Sequence, residues 1–191
     1  GGYEQICQEV AVRLKARNHE IKVLTSRFGV DPSKTGEDDV IRSLHLQADL
    51  DYYSPADFFF KRPSRERFNM DQLKEVLADF SPDAVVVWGM WLLSHNILFW
   101  LEQWMPGRVL YYLASYWPTD VDPHIAYWNL PARRFIAEQV KRPLRALALA
   151  TLKHEGYPLS LQLSHVISCS EYVRDTLAGA GKISPNSDVL Y

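Results

Sequence analysis

An α/β fold, a parallel sheet with helices on both faces, is predicted by three observations. Short apolar runs of strand type recur along the chain, each separated from the next by a segment with helical spacing. The runs are apolar throughout instead of alternating, which is the pattern of strands covered on both sides. The chain has 191 residues, 47% of them hydrophobic and 23% charged, which suits one ordinary domain with its own core. Parallel strands need crossover connections, and right-handed crossovers make such a sheet Rossmann-like.

The elements follow in order. Tyr3 to Arg17 places Ile6, Cys7, Val10, Ala11 and Leu14 on one stripe, an amphipathic helix that opens directly after Gly1-Gly2. Asn18, which tolerates the left-handed conformation, closes it. Glu20 to Thr25 is a strand, Ser26 to Asp39 a polar loop, and Val40 to Leu46 a second strand. Leu50 to Phe68, aromatic and basic with two prolines, reads as loop or irregular helix. Asn69 is expected to cap a helix over 70–80 with Leu73, Val76, Leu77 and Phe80 inward.

Ala84 to Leu101 has eighteen residues without a formal charge, the crude length of a membrane span. Gly89, Ser94, His95 and Asn96 at its centre would be costly in lipid. A buried strand (84–88), a tight turn at Trp88-Gly89 and a helix (92–105) explain it better. Arg108 to Leu113 is the next strand, and Tyr116 to Trp128 an aromatic, proline-broken loop. Pro131 to Leu152 is a long helix interrupted by Pro143. Leu163 to Cys169 is a strand running into Ser170, the cap of a helix to Ala180, and Val189 to Tyr191 begins a further strand.

Composition excludes several functions. Lys+Arg 21 against Asp+Glu 23 gives a net charge of −2, so no global basic field draws the chain to nucleic acid. Cys7 and Cys169 lie far apart with no CxxC partner, which argues against a disulfide framework or zinc site and suits a reducing, cytoplasmic compartment. Aromatic content is 13%, and all six tryptophans fall between Trp88 and Trp128.

Ligands of open parallel sheets bind outside the carboxyl ends of the strands. That rule selects the Gly1-Gly2 opening, the segment after Thr25, Trp88-Gly89-Met90, and Ala114 to Asp122. Two glycines at a helix N-terminus suit phosphate, because backbone N–H groups are free there and close approach is open. Tyr3, Glu4 and Gln5 follow, so this is not the dinucleotide fingerprint. Trp88, Trp91, Trp117 and Trp128 fall at strand ends or in loops, where flat rings suit sugars; Trp100 and Trp104 sit at helical spacing and read as core. His95 follows the Trp88-Gly89 turn closely enough to line a cleft.

Read together, these segments resemble a known family. Gly1-Gly2-Tyr3-Glu4, then a helix and Arg17-Asn-His-Glu-Ile-Lys-Val-Leu-Thr25, resembles the GGxE loop and RGHEVxVLT segment of retaining GT-B glycosyltransferases of family 4. Ser81-Pro82-Asp83-Ala-Val-Val, Val166-Ile-Ser-Cys-Ser-Glu171 with Gly181, and Asp188-Val-Leu-Tyr191 are similar to three further segments of that family, in the same order. The resemblance implies the N-terminal, acceptor-side half of a GT-B fold, with the first strand missing and residues 1–191 a fragment of a longer two-domain protein. It implies a hexosyltransferase taking sugar from a nucleotide-sugar donor to a glycan, lipid-linked or small-molecule acceptor, as in polysaccharide biosynthesis. No metal cofactor is expected. The donor domain with its paired glutamates would come from elsewhere in the protein, and this half alone would be inactive. A sugar epimerase on the same architecture, or a non-catalytic binding module, are the alternatives.

The resemblance places Gly1 and Gly2 near the donor diphosphate. The family's His-Asp-x-Trp-Pro segment reads Ala114-Ser115-Tyr116-Trp117-Pro118 here, so Ala114 stands where the histidine would be and the catalytic residues are unknown. Candidate substrate contacts are Trp88, Gly89, His95, Ser115, Tyr116, Trp117 and Asp120. Finally, residues 131–153 carry Arg134, Lys141 and Arg145 on one helical face, which suggests a peripheral contact with an anionic membrane.

Overall fold

A computed structural model of the protein describes residues 2–29, 39–48 and 52–190. Its strands are all parallel and fall into two sheets. β1 (Val23–Ser26) pairs with β2 (Val40–Leu44), Val23 opposite Val40. The other sheet runs β3 (Val85–Val87), β4 (Val109–Leu113), β5 (His165–Ser168) and β6 (Asp188–Val189) in spatial order. From β2 onward helices join each strand to the next, as the predicted α/β class requires; the connection from β1 to β2 lies mostly outside the described residues. Most of the expected 26–39 loop, the start of the 50–68 segment, and the terminal Tyr191 lie outside the described residues.

Local chemistry sets most element ends. α1 (Gly2–Lys15) is followed by Asn18 at φ +65°, the left-handed stop expected of it. Ser170 caps α7 (Glu171–Gly179) by accepting the Val173 N–H, and Ser94 caps α4 (His95–Trp104) by accepting the Asn96 N–H. α4 therefore begins three residues later than the spacing suggested. The turn before it also shifts: Leu92 at φ +53° carries the reversal, and Leu93 N–H bonds the Met90 carbonyl.

Four expectations need correction. From Ser54 onward the 50–68 segment is regular. Ser54 caps α2 (Pro55–Phe60), which has proline at its first position, and α3 (Arg62–Phe80) follows immediately. Asn69 is consequently no cap but lies inside α3, 2% exposed. Its side chain accepts the His45 N–H at 2.8 Å and donates to the His45 carbonyl at 2.9 Å, extending the hydrogen-bonding edge of β2 into a helix. The 116–128 segment holds a 3₁₀ turn (Trp117–Thr119) and α5 (Pro123–Asn129), capped by Asp122, which accepts the N–H of His124 and Ile125. Lastly, α6 (Phe135–His154) runs unbroken through Pro143, whose ring is exposed on the outer side.

Two cores result. The main one packs Leu73, Val87, Ile97, Leu98, Leu101, Tyr111, Leu113 and Leu177 around the four-stranded sheet. A smaller one joins Phe58 of α2, Trp128 of α5 and Ala148 and Leu152 of α6, with Tyr53 and Tyr127 against it. Glu102 of α4, 7% exposed, links helix to sheet: it accepts the Tyr111 hydroxyl at 2.7 Å and the N–H groups of Gln162 and Leu163 at 2.8 and 3.0 Å.

Candidate functional site

Tyr3, in the first turn of α1, reaches the carboxyl ends of β3 and β4. Its hydroxyl accepts the Ala114 N–H at 2.6 Å and lies 3.3 Å from the Ser115 hydroxyl. Its ring meets Tyr112 edge-on at 6.4 Å and covers Gly89, where a Cβ would touch the ring at 3.4 Å. The helix start, the loop after β3 and the loop after β4 are thus one surface.

A cavity of about 320 Å³ opens at the carboxyl ends of β1 and β2. Arg27 follows β1, and His45 and Gln47 follow β2; Tyr53, Ser54, Asp57 of α2, Arg65 of α3 and His124 of α5 add further polar groups. The smaller aromatic core supplies one wall, because Phe58 and Tyr53 belong to both. Burial, then the positive fields of Arg27 and Arg65, lower the His45 pKa, so that ring is neutral at pH 7. Asp57 is the one carboxylate among the described lining residues. Its pKa is held low by hydrogen bonding from Lys61, and it also lies 3.4 Å from Arg65. Arg27 forms no ion pair among the described residues. The lining suits a polar, hydroxyl-rich or anionic ligand; the hydroxyl–imidazole pair in it, Tyr53 with His124, is not activated for attack, because burial raises the Tyr53 pKa and lowers that of His124.

A buried polar chain braces the cavity from behind. His124, 2% exposed, pairs its Nδ1 with the Tyr53 hydroxyl at 2.8 Å, while its Nε2 has no partner among the described residues. Burial pushes its pKa well below the ordinary histidine range. Asp122, besides capping α5, accepts from Gln47 Nε2 at 3.2 Å. Further in, Glu66 accepts from Ser94 at 2.9 Å and Asn96 at 3.4 Å, and burial raises its pKa against those bonds. Arg62 pairs with Glu155 at 2.6 Å.

The residues singled out from sequence fall in three environments. Gly89 and Ser115 line the surface around Tyr3, with Trp88 packed 5.0 Å from Tyr112; Tyr116 is exposed, its ring edge-on to Tyr172 at 6.5 Å. Asp120 is exposed nearby, and Gly2 is exposed with nothing within 4 Å of a Cβ placed there; Gly1 lies outside the described residues. Trp117 and His95 go inward. Trp117 is 6% exposed in the main core, its ring 5.4 Å from His95 and 6.3 Å from Tyr111. Trp128 is fully buried, and Trp91 stands exposed. None of these residues lines the cavity. Sequence reasoning had marked the segment after Thr25 but missed Arg65, Tyr53 and Tyr3. A tyrosine directly after two glycines at a strand-end loop was the available signal for Tyr3; Arg65 had none. Among the described residues, no three His, Cys, Asp or Glu side chains converge as a metal site.

Parallel strands with helical crossovers and a ligand-sized cavity outside their carboxyl ends define a Rossmann-like α/β domain. The family model described as Glycosyltransferase Family 4 matches residues 1–190, and the chain belongs to that family: it is a glycosyltransferase-type domain, the N-terminal half of a GT-B fold. No curated protein and no solved structure was found to match it.

Proposed function

We propose that this domain is the acceptor-side half of an enzyme that moves a hexosyl group, with retention, from a nucleotide-sugar donor to a glycan, lipid-linked or small-molecule acceptor. The observation that carries the reading is the cavity of about 320 Å³ at the carboxyl ends of β1 and β2, with Arg27 and Arg65 in its wall. Its volume suits one or two sugar rings, and its lining offers hydrogen bonds and positive charge without a reactive nucleophile. The domain then acts by placement. It holds an acceptor hydroxyl against the anomeric carbon of a donor carried by a second Rossmann-like domain, so the reaction proceeds between pre-oriented groups. We place the departing diphosphate at the N-terminal end of α1, where the helix dipole stabilises its charge; no metal is called for. Ser115 and Tyr116, with Trp88, Gly89 and Asp120, form the floor between the two ligands.

Arg27 is the residue to test, because its side chain has no ion pair among the described residues whose loss would confuse the result. In the full-length protein, Arg27→Ala should raise the acceptor KM about tenfold and leave the donor KM within about twofold, the signature of lost acceptor binding. Equal effects on both substrates, or no effect on either, would remove the cavity from the acceptor site.

A further inference from the structure

The outer face of α6 is apolar where a solvated helix should be polar. Phe135 and Ile136 are 79% and 80% exposed, Val140 and Leu147 61% and 56%. Ile136, Val140, Pro143 and Leu147 recur at helical spacing and form one outward stripe. The cations expected outside have turned inward. Lys141 is 9% exposed, donates to the Tyr127 and Leu130 carbonyls at 2.8 Å each, and sits 3.8 Å over the Tyr127 ring. Arg145 pairs with Glu138 at 2.8 Å. The helix is therefore anchored through its basic face and presents its apolar one.

Charge around the stripe is one-sided. Arg133, Arg134, Arg142 and Lys153 are all exposed, and none has an ion pair among the described residues. Only two acids lie between residues 131 and 155. Both are engaged: Glu138 by Arg145 and the Ala132 N–H, Glu155 by Arg62. An apolar stripe rimmed by unpaired cations, with its acids neutralised internally, complements an apolar surface that carries negative charge. No helix among the described residues is long and apolar enough to cross a membrane. We propose that α6 lies flat on an anionic lipid bilayer, its Ile136–Val140–Pro143–Leu147 stripe in the headgroup–acyl boundary and Arg133, Arg134, Arg142 and Lys153 on lipid phosphates. A second protein copy would need matching acids for these cations. This surface is separate from the cavity, so docking stands whether or not the sugar-transfer reading does.

The test is co-sedimentation of the full-length protein with phosphatidylcholine vesicles, with and without about 30% phosphatidylserine, in about 0.1 M salt. Partitioning should be about tenfold greater onto the anionic vesicles. The double substitution Ile136→Asp, Val140→Asp should bring it down to the neutral-vesicle level. Arg133→Glu with Arg134→Glu should lower it about tenfold or more, since each basic residue near the surface contributes several-fold. Both variants should keep the wild-type circular dichroism, because the substituted side chains are exposed. Four results overturn the proposal: no partitioning, equal partitioning onto both vesicles, loss of fold in the Ile136→Asp, Val140→Asp protein, or a wild-type dimer that this variant dissociates.

Discussion

The Tyr3 hydroxyl ties the start of α1 to the loop after β4 through the Ala114 amide. Removing that oxygen leaves the amide without its acceptor, and an unmet backbone donor costs about 1–3 kcal/mol when water cannot replace the partner. Tyr3→Phe should therefore lower the unfolding free energy by about 1–2 kcal/mol, read from urea denaturation. An unchanged midpoint would mean that water reaches the amide. Trp117 invites a different experiment from the one its sequence context suggests. A tryptophan before proline in a strand-end loop looks like a stacking platform, yet this one is buried, with His95 and Tyr111 tilted against its ring. Trp117→Ala should thus cost stability first, about 3–5 kcal/mol, as for other large core aromatics. A loss below about 1 kcal/mol, within the range of surface substitutions, would restore it to the surface. Sequence could not separate the two roles, because exposure of a loop tryptophan depends on what packs over the loop.

Elements whose ends are set by neighbouring residues were readable from the chain; those set by distant ones were not. Asn18 and Ser170 act within their own turn, so their signals sit beside the helices they end. Asn69 carries the same kind of cap signal, but its partner is the backbone of His45, 24 residues away, and the helix runs through it. Asn69→Ala would leave the half-buried His45 N–H and carbonyl without their side-chain partner and should cost about 1–3 kcal/mol. Asn69→Asp, which keeps the acceptor and loses the donor, should cost less if the carboxylate stays bonded to the His45 amide. Chemical denaturation of both variants checks the order, and a reversed order would show that the donated bond dominates. The same limit applies to α6. Its periodicity was clear, but its orientation depends on carbonyls of Tyr127 and Leu130 that take up Lys141. The cavity residues Arg27, His45, Arg65 and His124 come from four separate parts of the chain, so only the fold assembles them.

At the scale of the whole molecule, buried ionisable groups make stability depend on pH in a direction that can be worked out. Burial lowers the pKa of His124, of His95 and, with help from Arg27 and Arg65, of His45. The unfolded chain titrates these side chains near 6.5. Above that value both states are neutral there and the folded state keeps its full advantage. As pH falls through 6.5, the unfolded chain takes up protons that the native rings refuse, and stability drops until the native pKa values are reached. Glu66 acts in the opposite sense. Its raised pKa means that the native carboxyl takes a proton before the unfolded one does, so its contribution is complete below the unfolded value and lost as pH rises through the native one. Acidification therefore relieves Glu66 while it penalises three histidines, and the histidines outnumber it. The urea midpoint should fall between about pH 7.5 and 5.5. Glu66→Gln should steepen that fall by deleting the opposing group, and His124→Asn should flatten it by deleting the most buried ring. A midpoint that holds or rises on acidification would mean that water reaches these histidines and that the aromatic wall of the cavity opens in solution.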